Sequence, residues 1–111
     1  MYSRYQLTKQ TLVIRIGNEL DHHTADQIRK ESEEFICKNN VNRIVFDFGG
    51  TTFMDSSGIG IIMGRYKVLR ALGGKIAVAN MSQSITKIFL MSGLPKIVSY
   101  FETLEDALKE D

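Results

Sequence analysis

The apolar positions of this chain recur in some segments at the spacing of a strand, about every second residue, and in others at the spacing of a helix, about every third or fourth residue. Runs rich in β-branched and aromatic residues predict strands at residues 11–16, 43–48, 75–79 and 97–101. Residues 5–8 are expected to pair with the first of these runs. The run at 43–48 is apolar enough to predict a strand near the centre of a sheet.

Amphipathic runs with apolar residues at helical spacing separate these strands. They predict helices at residues 24–38, 56–72 and 84–91, and a final helix opened by Thr103 and Asp106. Thr24 and Gln27 match a capping box for the first helix, although Asp21 could cap a slightly earlier start. The glycine pair at 73–74 and the segment 93–95 are expected to end the second and third helices.

Strands that alternate with helices after an initial strand pair predict an α/β fold. We expect a mostly parallel sheet of four to five strands, an antiparallel N-terminal strand pair and about four helices. In such sheets ligands and partners gather beyond the carboxyl ends of the strands, so the loops at those ends are the place to look for function.

Size and charge narrow the possible functions. The 111 residues, 43% of them apolar, suit one domain with one core over residues 1–111. Fourteen Lys and Arg stand against thirteen Asp and Glu, so nucleic acid is not an expected partner. No apolar run approaches the roughly 20 residues that span a bilayer, and residues 1–4 do not lead into a signal-peptide core. We therefore expect a soluble, cytoplasmic protein with no membrane partner.

Residue types that often bind metals are present, but their spacing argues against a metal site. Cys37 is the single cysteine, which excludes an internal disulfide and a cysteine-clustered zinc site. It is interpreted as a small apolar filler near the end of a helix. Adjacent residues such as His22 and His23 rarely converge on one ion. We expect neither a metal nor a cofactor.

Two further patterns in the second predicted helix have structural explanations. Gly58, Gly60 and Gly64 do not have the spacing of a dinucleotide loop, and small residues that let a helix approach the sheet explain them better. Arg65, with Lys67 and Arg70, makes one side of this helix basic, and a solvated face is favoured over a docking patch.

The segment around Ser56 carries the most informative chemistry. Asp55 is expected to cap the second helix, which would place Ser56 and Ser57 in its first turn with hydroxyls facing water. A phosphate there would carry a charge of about −1.5 to −2, and the helix N-terminus would stabilise it by about 0.3–1 kcal/mol. The fold should therefore tolerate phosphorylation at this position.

Residues 53–60, read Phe-Met-Asp-Ser-Ser-Gly-Ile-Gly, resemble the signature of STAS-domain anti-sigma factor antagonists. Residues 19–25 and 64–67 resemble the sporulation branch of that family, whose members free sigma-F, and residues 91–94 also fit. The resemblance extends from about residue 11 to residue 101, and it implies a single STAS domain with no enzymatic activity.

In that family the first serine of the pair, here Ser56, is phosphorylated by the anti-sigma factor, a histidine-kinase-like ATPase that acts on serine. A PP2C-type phosphatase reverses the modification. The unmodified protein binds the kinase and displaces the sigma factor, whereas the phosphorylated protein does not bind. The resemblance therefore places ATP on the partner kinase, and we expect this chain to be a monomer.

Partner-binding residues are expected near Ser56. The resemblance implies that Asp21 contacts the kinase in addition to capping a helix, and the flexible side chain of Met54, on the loop beside Ser56, is expected to add adaptable apolar contact. The full predicted set is Asp21, Met54, Asp55, Ser56, Ser57 and Gly58.

Three other functions fit the sequence less well. A STAS module of another pathway, such as the general-stress sigma-B type or a module from an anion transporter, fits the Asp-His-His-Thr element at 21–24 less well. A serine hydrolase using Ser56 would need a general base and an oxyanion hole, and no G-x-S-x-G elbow is present. An aspartyl-phosphate receiver, with Asp47 or Asp55 as acceptor, lacks a convincing acidic pair near Glu19 and Asp21.

Overall fold

Strands and helices alternate along residues 4–109, the part of the chain that this computed structural model describes. The strands are β1 (Tyr5–Thr8), β2 (Thr11–Arg15), β3 (Glu19–Leu20), β4 (Arg43–Asp47), β5 (Phe53–Met54), β6 (Lys75–Ala79) and β7 (Ser99–Phe101). The helices are α1 (His22–Lys38), α2 (Ser56–Ala71), α3 (Gln83–Met91) and α4 (Leu104–Lys109). The expectation about a leader segment concerns residues 1–4, of which residues 1–3 lie outside the described range.

The main sheet has five strands in the order β1-β2-β4-β6-β7. The β1–β2 pair is antiparallel, and the other three pairs are parallel. The predicted fold class is thus confirmed, and β4 lies at the sheet centre as its apolar run indicated.

Each face of the main sheet packs against helices. Alternate strand residues, such as Ile44 and Phe46, join one large core beneath α1, α2 and α3. The residues between them, Val45, Ala77 and Ala79, pack against Ala107 of α4. Because successive side chains of a strand point to opposite faces, the two helical layers follow directly from the sequence alternation.

A second, two-stranded sheet was not predicted from the sequence. The residues of β3 pair in parallel with those of β5, Glu19 with Phe53 and Leu20 with Met54. The segment 51–55, expected to be a loop, therefore contains a strand. This small sheet leads directly into the starts of α1 and α2.

Several boundaries differ from the sequence prediction for local reasons. Helix α1 begins at His22 because Asp21, rather than Thr24, caps it. Helix α3 begins one residue early because the Ser82 hydroxyl accepts the backbone N–H of Ile85. A 3₁₀ turn at Leu94–Lys96 shortens the last strand.

The helices also answer two earlier questions, whether any of them could span a membrane and where Cys37 lies. Within residues 4–109, no helix combines the length and apolarity needed to cross a membrane. Cys37 lies near the end of α1 as expected, but its side chain is exposed, so the interpretation as a packed filler is wrong. Helix sites at this end face solvent, since Lys38 and Asn39 are also exposed.

Candidate functional site

Helices α1 and α2 begin in nearly the same way. Asp21 caps α1 with backbone angles of φ −103° and ψ −174°, and Asp55 caps α2 with φ −103° and ψ −171°. The Asp21 Oδ1 accepts the backbone N–H of Thr24 at 2.9 Å, and the Asp55 Oδ1 accepts that of Ser57 at 2.8 Å. Each carboxylate satisfies a donor that a helix start would otherwise leave without a partner.

Backbone hydrogen bonds between β3 and β5 hold these two helix starts together. The Asn18 carbonyl accepts the N–H of Thr52 at 2.8 Å, and the Leu20 carbonyl accepts that of Asp55 at 3.3 Å. The register that pairs Leu20 with Met54 sets Asp21 beside Asp55 at the next position. Neighbouring strands lie about 4.8 Å apart, so the two caps form one surface.

Ser56 is the first residue of α2, and its side chain is exposed. Within the described part of the chain, its hydroxyl makes no hydrogen bond to another residue. Ser57, the next residue, is half-buried and turns toward a groove between α1 and α2. The predicted cap at Asp55 and the predicted exposure of Ser56 are confirmed, whereas Ser57, which was also expected to face water, is only partly exposed.

The charge of Asp21 is stabilised where it lies. Hydrogen bonds to its carboxylate from the Thr24 backbone N–H, and next from the Thr24 side chain, hold the pKa of Asp21 below its ordinary value. Partial desolvation acts in the opposite direction with a smaller effect. The side chain therefore stays ionised over the whole physiological range of pH.

Two predicted partner-binding residues are buried instead. Met54 is 5% exposed, and a Cβ added at Gly58 would lie 2.3 Å from the Met54 Cγ and 3.1 Å from the Leu20 Cδ2. Gly58 thus lets α2 approach the β3–β5 sheet, and Met54 fills the space that remains. The side-chain positions of these two residues belong to the core in this structure, and their contact with a partner stays a prediction.

Phe53 is exposed on the candidate surface, and the sequence analysis did not single it out. Its side chain is 49% exposed, on the opposite face of β5 from Met54. Strand alternation forces this choice, since only one of two successive residues can face the core. The sequence contains the signal, an aromatic residue shortly before Ser56, but it does not say which of the two apolar residues is buried.

A groove of about 220 Å³ runs between α1 and α2 beside this surface. Gly60 and Gly64 line it, and a Cβ added at either would meet nothing within 4 Å. The expectation that all three glycines allow close packing therefore holds for Gly58 and is wrong for these two.

Arg65 also lines this groove, and it is only 6% exposed. Its Nη1 donates to the Glu33 Oε1 at 2.7 Å and to the Ser32 Oγ at 3.4 Å. The expectation that Arg65 belongs to a solvated basic face is wrong, because the pair with Glu33 ties α1 to α2.

The remaining candidate chemistries do not converge on a site. Among residues 4–109, no group of three or more His, Cys, Asp or Glu side chains is arranged to hold a metal ion. His22 and His23 are both exposed. The Asp47 Oδ1 accepts hydrogen bonds from the Gly49 N–H and the Asn80 side chain, both at 2.9 Å, so it organises a turn.

Comparisons with known proteins reveal similar domains and chains. The STAS domain family profile matches residues 2–107. An anti-sigma F factor antagonist of Paenibacillus polymyxa is 39% identical over 99 residues, which span 89% of this chain and 85% of that relative.

Solved structures give the same result. The unphosphorylated form of the anti-sigma factor antagonist SpoIIAA superposes with a TM-score of 0.76 at 32% identity, covering 96% of this chain and 94% of that one. The phosphorylated form of the Bacillus cell fate determinant SpoIIAA gives a TM-score of 0.74 at 37% identity, covering 95% and 96%.

Proposed function

The chain belongs to the STAS domain family, and on that premise we propose that it is an anti-sigma F factor antagonist that phosphorylation of Ser56 switches off. The unmodified protein binds an anti-sigma factor that is also a serine kinase, and it thereby releases sigma-F. The kinase binds ATP and transfers its terminal phosphate to Ser56, and a PP2C-type phosphatase removes that phosphate by hydrolysis. Proteins of this family regulate rather than catalyse, so no catalytic residue is assigned.

The observation that carries this proposal is the exposed, unbonded hydroxyl of Ser56 at the capped start of α2. A kinase can reach this oxygen without breaking a hydrogen bond in the described residues. The neighbouring Ser57 is half-buried against the groove, which favours Ser56 as the acceptor. We propose that the protein works as a cytoplasmic monomer without a cofactor of its own.

The direction of the switch follows from electrostatics. A phosphate on Ser56 would add a charge of about −1.5 to −2 beside the carboxylates of Asp55 and Asp21. A partner that packs on this surface must remove water from that charge, and a dianion without a matching cation then costs several kcal/mol. The α2 N-terminus offsets only about 0.3–1 kcal/mol of this, so the fold survives while the complex separates.

The test compares Ser56→Asp, Ser56→Ala and Ser57→Ala for binding to the cognate anti-sigma kinase by calorimetry. We expect Ser56→Asp to bind at least about tenfold more weakly than the wild type, a loss of about 1.4 kcal/mol, with an unchanged circular dichroism spectrum. Ser56→Ala should bind persistently and resist phosphorylation, while Ser57→Ala should still be phosphorylated.

Mass mapping after incubation with kinase and ATP identifies the modified residue. Phosphate on Ser57, or equal affinities of wild type and Ser56→Asp, would overturn the proposal. Turnover of an activated ester that disappears in Ser56→Ala would instead identify a hydrolase.

A further inference from the structure

An exposed aromatic side chain lies on the surface that carries the proposed switch. Phe53 is 49% exposed, although aromatic rings contribute strongly to cores and interfaces when buried. The other large exposed apolar residues closest to it in exposure, Leu90 and Tyr100, belong to α3 and β7. What sets Phe53 apart is its place on the β3–β5 surface, three residues before Ser56.

Backbone pairing orders the chain at Phe53. The Phe53 N–H donates to the Asn18 carbonyl at 3.3 Å, and the residue pairs with Glu19 across the small sheet. The next residue, Met54, is anchored in the core. Because the backbone is already ordered and a phenylalanine side chain has only two χ angles to immobilise, covering it costs little conformational entropy, which favours a role as a binding anchor.

The charge next to the ring indicates the chemistry of the partner. Glu19, directly opposite Phe53 in the register, is exposed and takes part in no ion pair within residues 4–109. Ser56 lies further along the same chain segment, past Asp55. A complementary surface would thus offer an apolar pocket with a Lys or Arg beside it at the Glu19 end, and no cation at the Ser56 end.

We propose that Phe53 is the apolar anchor of the complex with the anti-sigma kinase, inserted into such a pocket, with Glu19 paired to the cation at its edge. This inference rests on the proposed function. In it, Phe53 supplies affinity for the kinase, and phosphorylation of Ser56 switches the binding off. Interfaces commonly depend on one or two buried aromatic anchors, and truncating such an anchor costs far more than truncating a residue of the rim.

The test measures kinase binding by Phe53→Ala, Phe53→Leu and the control Leu72→Ala. Leu72 is 61% exposed and follows the far end of α2, about 24 Å from Ser56 along the helix. We expect binding at least about tenfold weaker for Phe53→Ala, within about threefold for Phe53→Leu, and unchanged for Leu72→Ala. Thermal unfolding of each variant checks that the fold is intact.

Phosphorylation kinetics separate binding from a structural effect. Phe53→Ala should raise the KM for phosphorylation of Ser56 and leave kcat unchanged, because the contact is made equally in the ground and transition states. Glu19→Lys should weaken kinase binding, and the loss should be larger at low salt than at high salt, because salt screens the interaction between exposed charges. If wild type binds the kinase and Phe53→Ala binds equally well, this inference fails alone. If wild type does not bind the kinase, the proposed function fails and the anchor with it.

Discussion

Replacing Gly58 by alanine tests the packing that sets the position of the switch serine. The new Cβ would lie 2.3 Å from the Met54 Cγ and 2.7 Å from its Sδ. Carbon atoms in contact normally stay about 3.5–4.0 Å apart, so one of the two must move by more than 1 Å. The Cγ is the first atom beyond the Met54 Cβ, so it can move only if the side chain changes rotamer or β5 shifts.

The expected cost follows from two opposing terms. Met54 is 5% exposed, so its displacement forces repacking in the core, which costs about 1–3 kcal/mol. Alanine in a helix gains about 0.5–1 kcal/mol over glycine. Gly58→Ala should therefore lower the free energy of unfolding by up to about 2.5 kcal/mol, which corresponds to a fall in Tm of up to about 10 °C for a domain of this size.

Gly60 and Gly64 provide matched controls within the same helix. A Cβ at either position meets nothing within 4 Å, so only the propensity term remains. Gly60→Ala and Gly64→Ala should each raise the free energy of unfolding by about 0.5–1 kcal/mol. Urea denaturation with a common m-value measures all three variants on one scale. A Gly58→Ala variant as stable as Gly60→Ala would refute the close approach of α2 to Met54.

Two further predictions concern the first helix. The pKa of Asp21 is lowered in the fold, so its capping contribution is present above the unfolded pKa of about 3.9 and is lost as pH falls through the folded pKa. The Tm difference between wild type and Asp21→Ala should therefore be clear at neutral pH and shrink in strong acid. A difference that stays constant with pH would contradict a cap based on charge. Glu33→Gln leaves the buried Arg65 without its ion pair and, because Glu33 is half exposed, should lower the free energy of unfolding in urea by only about 1–2 kcal/mol. Arg65→Met should lower it less, because it leaves no buried charge unpaired. The opposite order would show that the ion pair itself contributes little.

The sequence predicted the parts of the fold that repeat a pattern over many residues. The main sheet and α2 follow from long apolar runs, and the Asp55 cap follows from residue chemistry at a strand end. The β3–β5 sheet was missed because each strand has only two residues, too few to show a period. Its absence from the prediction also left open which of Phe53 and Met54 faces solvent.

Long-range partners explain the other errors. Arg65 looks solvated in the sequence because arginine is rarely buried, and the Glu33 that permits its burial lies 32 positions away. Cys37 looks buried for the opposite reason, since free cysteine usually is, yet it lies on the exposed side of α1, while Phe35 and Ile36 of the same turn pack against the core. In both cases the neighbours in the folded structure determine whether the side chain is buried, and the residue type alone does not reveal those neighbours.

The small sheet that joins the two helix starts also determines which parts of the chain are needed to form the surface around Ser56. Its flanking contact, the Thr51 hydroxyl donating to the Gly17 carbonyl at 2.5 Å, closes a loop of 34 positions. Closing this loop costs entropy, so the pairing needs both segments to be present and close together. A nascent chain that has not yet emerged past β5, or a peptide cut out around Ser56, cannot assemble this surface. The surface on which the proposed switch lies therefore depends on two segments from the first half of the chain, and a short peptide that contains Ser56 is not an equivalent substrate.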